Sequence, residues 1–173
     1  MNKDTTKKVK PVPEGYHTVT PYVVVKGVVG FLDFMKEAFG AVEEIRVPNQ
    51  DGTIGHAEVR IGDSVVMAFD AKDNWPATPG FLRLYVEDAD ALYEQALKAG
   101  AVSVTEMSTL MGERGGRVCD PLGNIWWIQT HVKDVVPEDW MKLDNDPAAM
   151  QAMQQTQDSF DQEMRSRIAK KGA

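Results

Sequence analysis

Two hydrophobic periods alternate along this chain, and the alternation is written twice. Val28, Phe31, Leu32, Met35 and Phe39 recur at helical spacing and share one face. Ala89, Leu92, Tyr93 and Ala96 do the same further on, with Asp88 placed to cap the helix start. Gly40 and Gly100 stand where each helix ends in a left-handed residue, and each opens a Gly-Ala-Val step into a strand. Period-two segments follow: Val42–Val47, His56–Ile61 and Val65–Phe69 in the first half, and Val102–Glu106, Gly116–Cys119 and Ile125–His131 in the second. Asp51-Gly52, Gly62-Asp63 and Pro121-Leu122-Gly123-Asn124 supply the turns.

With a short strand before each helix, each half reads βαβββ. A single half leaves one side of its sheet uncovered. Two halves side by side predict an α+β fold: one curved mixed sheet, helices outside and a cavity inside. The expected organisation is a flexible N-terminus over 1–15, a domain over 16–133 built from modules of about 16–72 and 80–133, and a C-terminal helical extension over 134–173. Val135-Val136-Pro137 reads as a linker, and Asp146-Pro147 opens a helix running to about Lys170. The stripe of that helix, Met150, Met153, Phe160, Met164 and Ile168, is narrow and interrupted by Gln157. It needs a surface on this domain or on a second subunit, unless the segment frays.

Composition narrows the function classes. At 173 residues and 43% hydrophobic content the chain can bury a real core. A formal charge of −7 argues against a nucleic-acid groove, and Lys3, Lys7, Lys8 and Lys10 read as a solvated terminus. No apolar run approaches the ~20 residues that span a bilayer, and the N-terminus lacks the apolar core of a secretory signal. The single Cys119 excludes an internal disulfide and a cysteine zinc cage, and fits a cytoplasmic protein. It reads as an inert buried thiol, with Arg117 as thin support for a thiolate.

Particular words in the sequence carry a resemblance. They are Thr20-Pro21-Tyr22, Asp33-Phe34-Met35-Lys36-Glu37-Ala38-Phe39-Gly40-Ala41, Gly55-His56-Ala57-Glu58-Val59, Tyr85-Val86-Glu87-Asp88-Ala89-Asp90, Gly112-Glu113-Arg114 and Asp120-Pro121-Leu122-Gly123-Asn124. Together with the βαβββ repeat they resemble the vicinal oxygen chelate superfamily (glyoxalase, bleomycin-resistance and extradiol dioxygenase proteins), and within it the PhnB-like branch. The resemblance covers roughly residues 16–133. It implies metal-ligand positions at Thr20, at Met67 or a neighbour, at Phe81 and at Trp127. None of these is a normal ligand for a divalent metal, so no metal and no cofactor is expected.

Alternation supplies the remaining candidates. His56, Glu58 and Arg60 share one face of their strand, opposite Ala57, Val59 and Ile61. If that face lines the cavity, His56 serves as general base with Glu58 orienting it. If it lies at a sheet edge, the same residues are solvated charge. Phe81, Arg83 and Tyr85 share a face of the fifth strand, and Tyr22 is expected to meet them across the sheet. With Thr20, Met67 and Trp127 they suggest an aromatic ligand-binding cavity with one cation, or a core packed shut where a metal once sat. The segment from Met111 to Gly116 reads as a glycine-rich loop able to close over a ligand, or as a plain connection. The leading expectation is a homodimeric small-molecule-binding protein. The alternatives are a metal-independent lyase or isomerase using His56 and Arg83, and an interaction protein with a packed core.

Overall fold

In a computed structural model of the chain, the description covers residues 9–76, 78–141 and 146–171. The first half comprises β1 (Tyr22–Val25), α1 (Val28–Phe39), β2 (Val42–Pro48), β3 (Ile54–Ile61) and β4 (Ser64–Asp70). The second comprises β5 (Phe81–Tyr85), α2 (Ala89–Lys98), β6 (Val102–Leu110), β7 (Glu113–Cys119) and β8 (Ile125–His131). Two further helices follow, α3 (Pro137–Met141) and α4 (Pro147–Lys171). Each half forms a four-stranded mixed sheet, ordered β1-β4-β3-β2 and β5-β8-β7-β6. In both, the opening strand runs parallel to the last strand of its half and the other pairings are antiparallel.

Local chemistry explains the helix ends. The carboxylate of Asp70, at the end of β4, accepts the N–H groups of Gly27 and Val28 through Oδ1 and that of Ile54 through Oδ2. It satisfies donors that the first turn of α1 leaves free. Gly40 closes α1 in the left-handed conformation at φ 63°, its N–H donating to Lys36 O. Asp88 caps α2 by accepting from Ala91 N–H.

The apolar face of each sheet turns toward the helices. Val23, Val25, Ala57, Val59 and Ala68 of the first sheet and Val118, Trp126 and Ile128 of the second are buried there. Trp126 joins the halves, with Phe39 and Phe31 of α1 at 4.7 Å and 6.3 Å from its ring. Burying aromatic surface of this extent supplies much of the drive to join the modules. A cleft of about 820 Å³ is bordered by Val65 and Val66 of β4, Leu82 to Tyr85 of β5 and Pro21 just before β1, and Val24 of β1 bridges to Thr78 in the segment ahead of β5. Among the described residues no helix is long and apolar enough to cross a membrane.

Several segments differ from expectation. The glycine-rich stretch after β6 is a two-residue turn, with Met111 at φ 48° and Gly112 at φ 80°, and β7 begins at Glu113. Both central residues having positive φ suits the twist of a hairpin. Glu113 and Arg114 are therefore strand residues and not a closing loop: Arg114 bonds Asp90, while Glu113 accepts from Gln129. The expected linker ends in a helix, since Pro137 is the first residue of α3. Residues 1–8 of the expected N-terminal tail lie outside the described residues. Its last residue is tied to β3, where Arg60 donates to Gly15 O, and Tyr16 at the start of the domain donates to Glu58.

Helix α4 starts at the Asp146 cap, whose Oδ1 accepts from Ala148 and Ala149 N–H. It lies on this domain, against β6 and over the sheet face opposite α2. Thr105 Oγ1 meets Ser159 Oγ at 2.7 Å, Arg117 donates to Thr156 O at 2.8 Å, and Phe160 meets Phe81 edge-on at 5.6 Å. The packed face thus mixes hydroxyls with apolar groups, and Ile168 of the expected stripe points to solvent. Cys119 is half-buried, not fully buried, with Arg167 of α4 donating to its Sγ at 3.4 Å.

Candidate functional site

The polar face of the first sheet carries a hydrogen-bonded chain. Strand alternation puts His56, Glu58 and Arg60 on one side of β3 while Ala57 and Val59 are fully buried on the other. β3 is an inner strand between β2 and β4, so this face is not a sheet edge. The hydroxyl of Tyr22 lies 3.1 Å from Nδ1 of His56, and Nε2 of His56 lies 2.8 Å from Oε1 of Glu58. Tyr16 donates to the other oxygen of Glu58. Burial disfavours ionisation of Glu58, but the bonds from Tyr16 and His56 outweigh it and hold the pKa below the usual carboxylate value. An ionised Glu58 only accepts, so it selects the tautomer with hydrogen on Nε2. The lone pair of Nδ1 then faces the Tyr22 hydroxyl. Met67 pairs with both Tyr22 and Glu58 across the strands, and Phe69 meets Tyr22 edge-on at 5.1 Å.

The corresponding face of the second sheet is aromatic and cationic. Arg83 of β5, Trp127 of β8 and Arg117 of β7 stand in register across three strands. The guanidinium carbons of Arg83 and Arg117 lie 3.8 Å and 4.0 Å from the Trp127 ring centre, one from each flanking strand. Such close approach is the geometry of cation–π attraction. Tyr85 and Phe81, on the same side of β5, are 58% and 59% exposed.

A cavity of about 310 Å³ opens over this face, with Arg83, Tyr85, Trp127, Gln129 and Thr156 in its wall. Gln129 donates to Glu113 Oε2 at 2.7 Å, yet its Oε1 is buried without a donor among the described residues. Glu113 in turn meets His131 at 2.8 Å, and His131 reaches Asp134 at 2.9 Å. The bond to Asp134 first, and that to Glu113 second, raise the His131 pKa.

The expected site residues therefore divide between two faces. Tyr22, His56, Glu58 and Met67 gather on the first sheet, with Thr20 just before β1 bonding to His17 O. Phe81, Arg83, Tyr85 and Trp127 gather on the second. Tyr22 was expected to meet Phe81, Arg83 and Tyr85. It contacts His56 and Phe69 instead, because β1 pairs with β4 and not with β5.

The metal positions implied by the resemblance do not fit a divalent ion. Phe81 and Trp127 offer no lone-pair donor, and Thr20 and Met67 belong to the other sheet's half of the chain. Among the described residues no three His, Cys, Asp or Glu side chains form a group that could hold a metal.

Tyr16, Arg117, Gln129 and Phe160 join the site without having been read from the sequence as site residues. Gln129 was within reach, since alternation along β8 puts it on the Trp127 side. Arg117 needed the strand register, and Tyr16 and Phe160 needed the paths of the two ends of the chain.

Comparison with known proteins agrees with this architecture. An uncharacterized protein of Mycobacterium bovis is 38% identical over 129 residues, covering 68% of this chain and 85% of the relative. Among solved structures, TioX from Micromonospora sp. ML1 superposes with a TM-score of 0.56 at 21% identity, over 69% of this chain and 100% of that one. A PhnB protein from Bacillus cereus, described as a putative 3-demethylubiquinone-9 3-methyltransferase, gives 0.52 at 16% identity, over 66% of this chain and 99% of that one. At such identities these structures speak for the fold alone. Residues 16–128 match the Glyoxalase/Bleomycin resistance protein/Dioxygenase superfamily, and the chain belongs to that superfamily.

Proposed function

We propose that this chain is a small-molecule-binding protein of the superfamily, acting by sequestration or in resistance, and that it works without the superfamily's metal. The observation that carries the reading is the 310 Å³ cavity beside Arg83 and Trp127, with the undonated Gln129 Oε1 in its wall. A packed core would leave no such space, and a buried acceptor without a donor costs free energy that a ligand hydroxyl or N–H recovers. The exposed ring of Tyr85 in the cavity wall suits a planar or apolar ligand. We place the chain in the PhnB-like branch and read it as a homodimer in which the segment from Pro137 onward adds contacts. Support for pairing comes from the exposed Val42 and Val47 of β2, an edge strand of the first sheet.

The test is a small-molecule thermal-shift screen, with hits titrated against Arg83→Met and His56→Ala. Arg83→Met weakens binding by about tenfold or more, through loss of a charge-assisted bond. His56→Ala leaves affinity nearly unchanged. A screen without hits, or hits indifferent to Arg83→Met, overturns the reading.

One observation favours a second reading, a metal-independent lyase or isomerase. The Tyr22–His56–Glu58 chain holds an imidazole in a fixed tautomer beside a phenol that is 50% exposed. His56 takes the proton of Tyr22 as that oxygen abstracts one from a substrate, and Glu58 stabilises the imidazolium. Arg83 plays no part in this chain, since no contact joins it to His56 among the described residues. Turnover of a screening hit that disappears in His56→Ala selects this reading over pure binding.

A further inference from the structure

The arginines of this chain divide sharply by partner. Arg46, Arg60, Arg114, Arg165 and Arg167 each bond a carboxylate, those of Glu43, Glu44, Asp90, Asp161 and Glu163 in turn. Arg83 and Arg117 bond none among the described residues, although the chain carries a net charge of −7. Arg117 is only 9% exposed, and its hydrogen bonds go to the neutral oxygens of Thr105 and Thr156 through Nη1 alone. Its Nε and Nη2 have no acceptor among the described residues. Both guanidinium carbons lie within 4.0 Å of one indole centre, so two like charges share a ring that carries no net charge. Burial first, and the Arg83 charge second, push the Arg117 pKa below the usual arginine value. Placing an uncompensated cation in a largely buried position is unfavourable unless a counter-charge arrives.

A cavity of about 230 Å³ sits where that counter-charge would enter. Its walls are Phe81, Ile125, Trp127 and Phe160, with Arg83 and Arg117 between them. Phe160 comes from α4 and lies 5.0 Å from the Arg117 guanidinium carbon, so the C-terminal helix closes one side. The other side is open through the exposed ring of Phe81. Planar guanidinium edges match a planar oxyanion, and the four apolar walls match a ring.

Resting on the ligand-binding reading above, we infer that the Arg83–Trp127–Arg117 stack beneath α4 is a binding site for an aromatic carboxylate. The carboxylate sits at the free guanidinium edges, and the aromatic body packs against the touching rings of Phe81 and Phe160. This assigns Arg117 and Phe160 as ligand contacts and gives α4 a role as one wall of the site.

The experiment is calorimetric titration of the full chain with 2-naphthoate, 2-naphthamide and inorganic phosphate, repeated in Arg83→Gln, Arg117→Lys and Phe160→Ala. Naphthoate binds at least about tenfold more tightly than the amide, and phosphate alone does not bind in the same range. Arg83→Gln removes the preference for the acid and leaves the amide unchanged, whereas Phe160→Ala weakens both. Arg117→Lys keeps the charge but lowers naphthoate affinity, because an ammonium offers no planar fork. If Arg117→Lys fails to fold, the solvent-facing Arg83→Gln still decides the matter. Equal binding of acid and amide overturns the anion site while leaving the ligand-binding reading standing. Phosphate binding as tightly as naphthoate overturns the aromatic half, and binding of no compound overturns both.

Discussion

Asp120 Oδ2 accepts the indole N–H of Trp126 at 3.0 Å, directly behind the strand position that turns Trp127 toward the cavity. The same carboxylate accepts from Leu122 N–H and from the backbone and side-chain N–H groups of Asn124. One buried acid thus fixes both the turn before β8 and the ring that joins the modules. Asp120→Ala leaves four donors without it and destabilises the fold by roughly 3 kcal/mol or more. Chemical denaturation with near-ultraviolet dichroism of the tryptophans measures the loss. A change below ~1 kcal/mol contradicts this account of the turn.

Gly112 meets a steric limit. A Cβ there would stand 2.0 Å from Lys133 O, at a φ of 80° that L residues rarely adopt. Gly112→Ala therefore costs well over ~1 kcal/mol, and it frees the Val132 and Lys133 N–H groups that donate to Gly112 O. Hydrogen exchange at those two amides accelerates more than exchange in β3. Unchanged exchange there contradicts the prediction.

His131 makes the end of the β7–β8 hairpin sensitive to pH. Bonds to Asp134 and Glu113 raise its pKa in the folded chain above the ordinary value of about 6.5. A raised folded pKa gives stability that is fully present below about 6.5 and lost as pH rises through the folded value. Denaturation midpoints of the native chain and His131→Gln therefore differ most under mildly acidic conditions and converge on the alkaline side. A gap that widens with rising pH contradicts the assignment.

Glu58 has the opposite sign. Its pKa is depressed, because the bonds from Tyr16 and His56 outweigh the effect of burial. The stability it contributes is present above about 4.3 and lost as pH falls through the lower folded value. Tyr16→Phe removes one of those bonds, lowers stability near neutral pH, and shrinks the acid-dependent loss. Equal acid sensitivity in both proteins argues against the Tyr16–Glu58 bond.

The fold was legible because its signals are local. The α1 face from Val28 to Phe39, the αL glycine at position 40 and the Asp88 cap each depend on neighbours within a turn or two. β8 matches its expected bounds, Ile125–His131, since alternation and a strong turn delimit it on one side. The site was legible only where alternation sufficed. His56 and Glu58 share a face as read, and so do Phe81, Arg83 and Tyr85.

The remaining site features are long-range. Arg117 flanks Trp127 only because β7 pairs with β8 in one register, and a one-residue slip would send it to the helix side. Phe160 reaches Phe81 because α4 turns back over the sheet, and its weak apolar stripe did not say which surface it would choose. The Met111-Gly112 turn looked like a loop because glycines at 115 and 116 read as flexible. In the fold these residues lie within β7, where Gly115 and Gly116 leave room for Gln129, Tyr93 and Met107.

The account's central claim is that small molecules bind on the Trp127 side of the second sheet, and nitrogen–proton correlation spectra of the indole groups test it most directly. The Trp127 signal, assigned by its loss in Trp127→Phe, shifts progressively as a thermal-shift hit or 2-naphthoate is added. The Trp126 signal, buried against Phe31 and Phe39, stays in place. Ligands that bind and move Trp126 or the Tyr22–His56 face while leaving Trp127 unperturbed would contradict the claim.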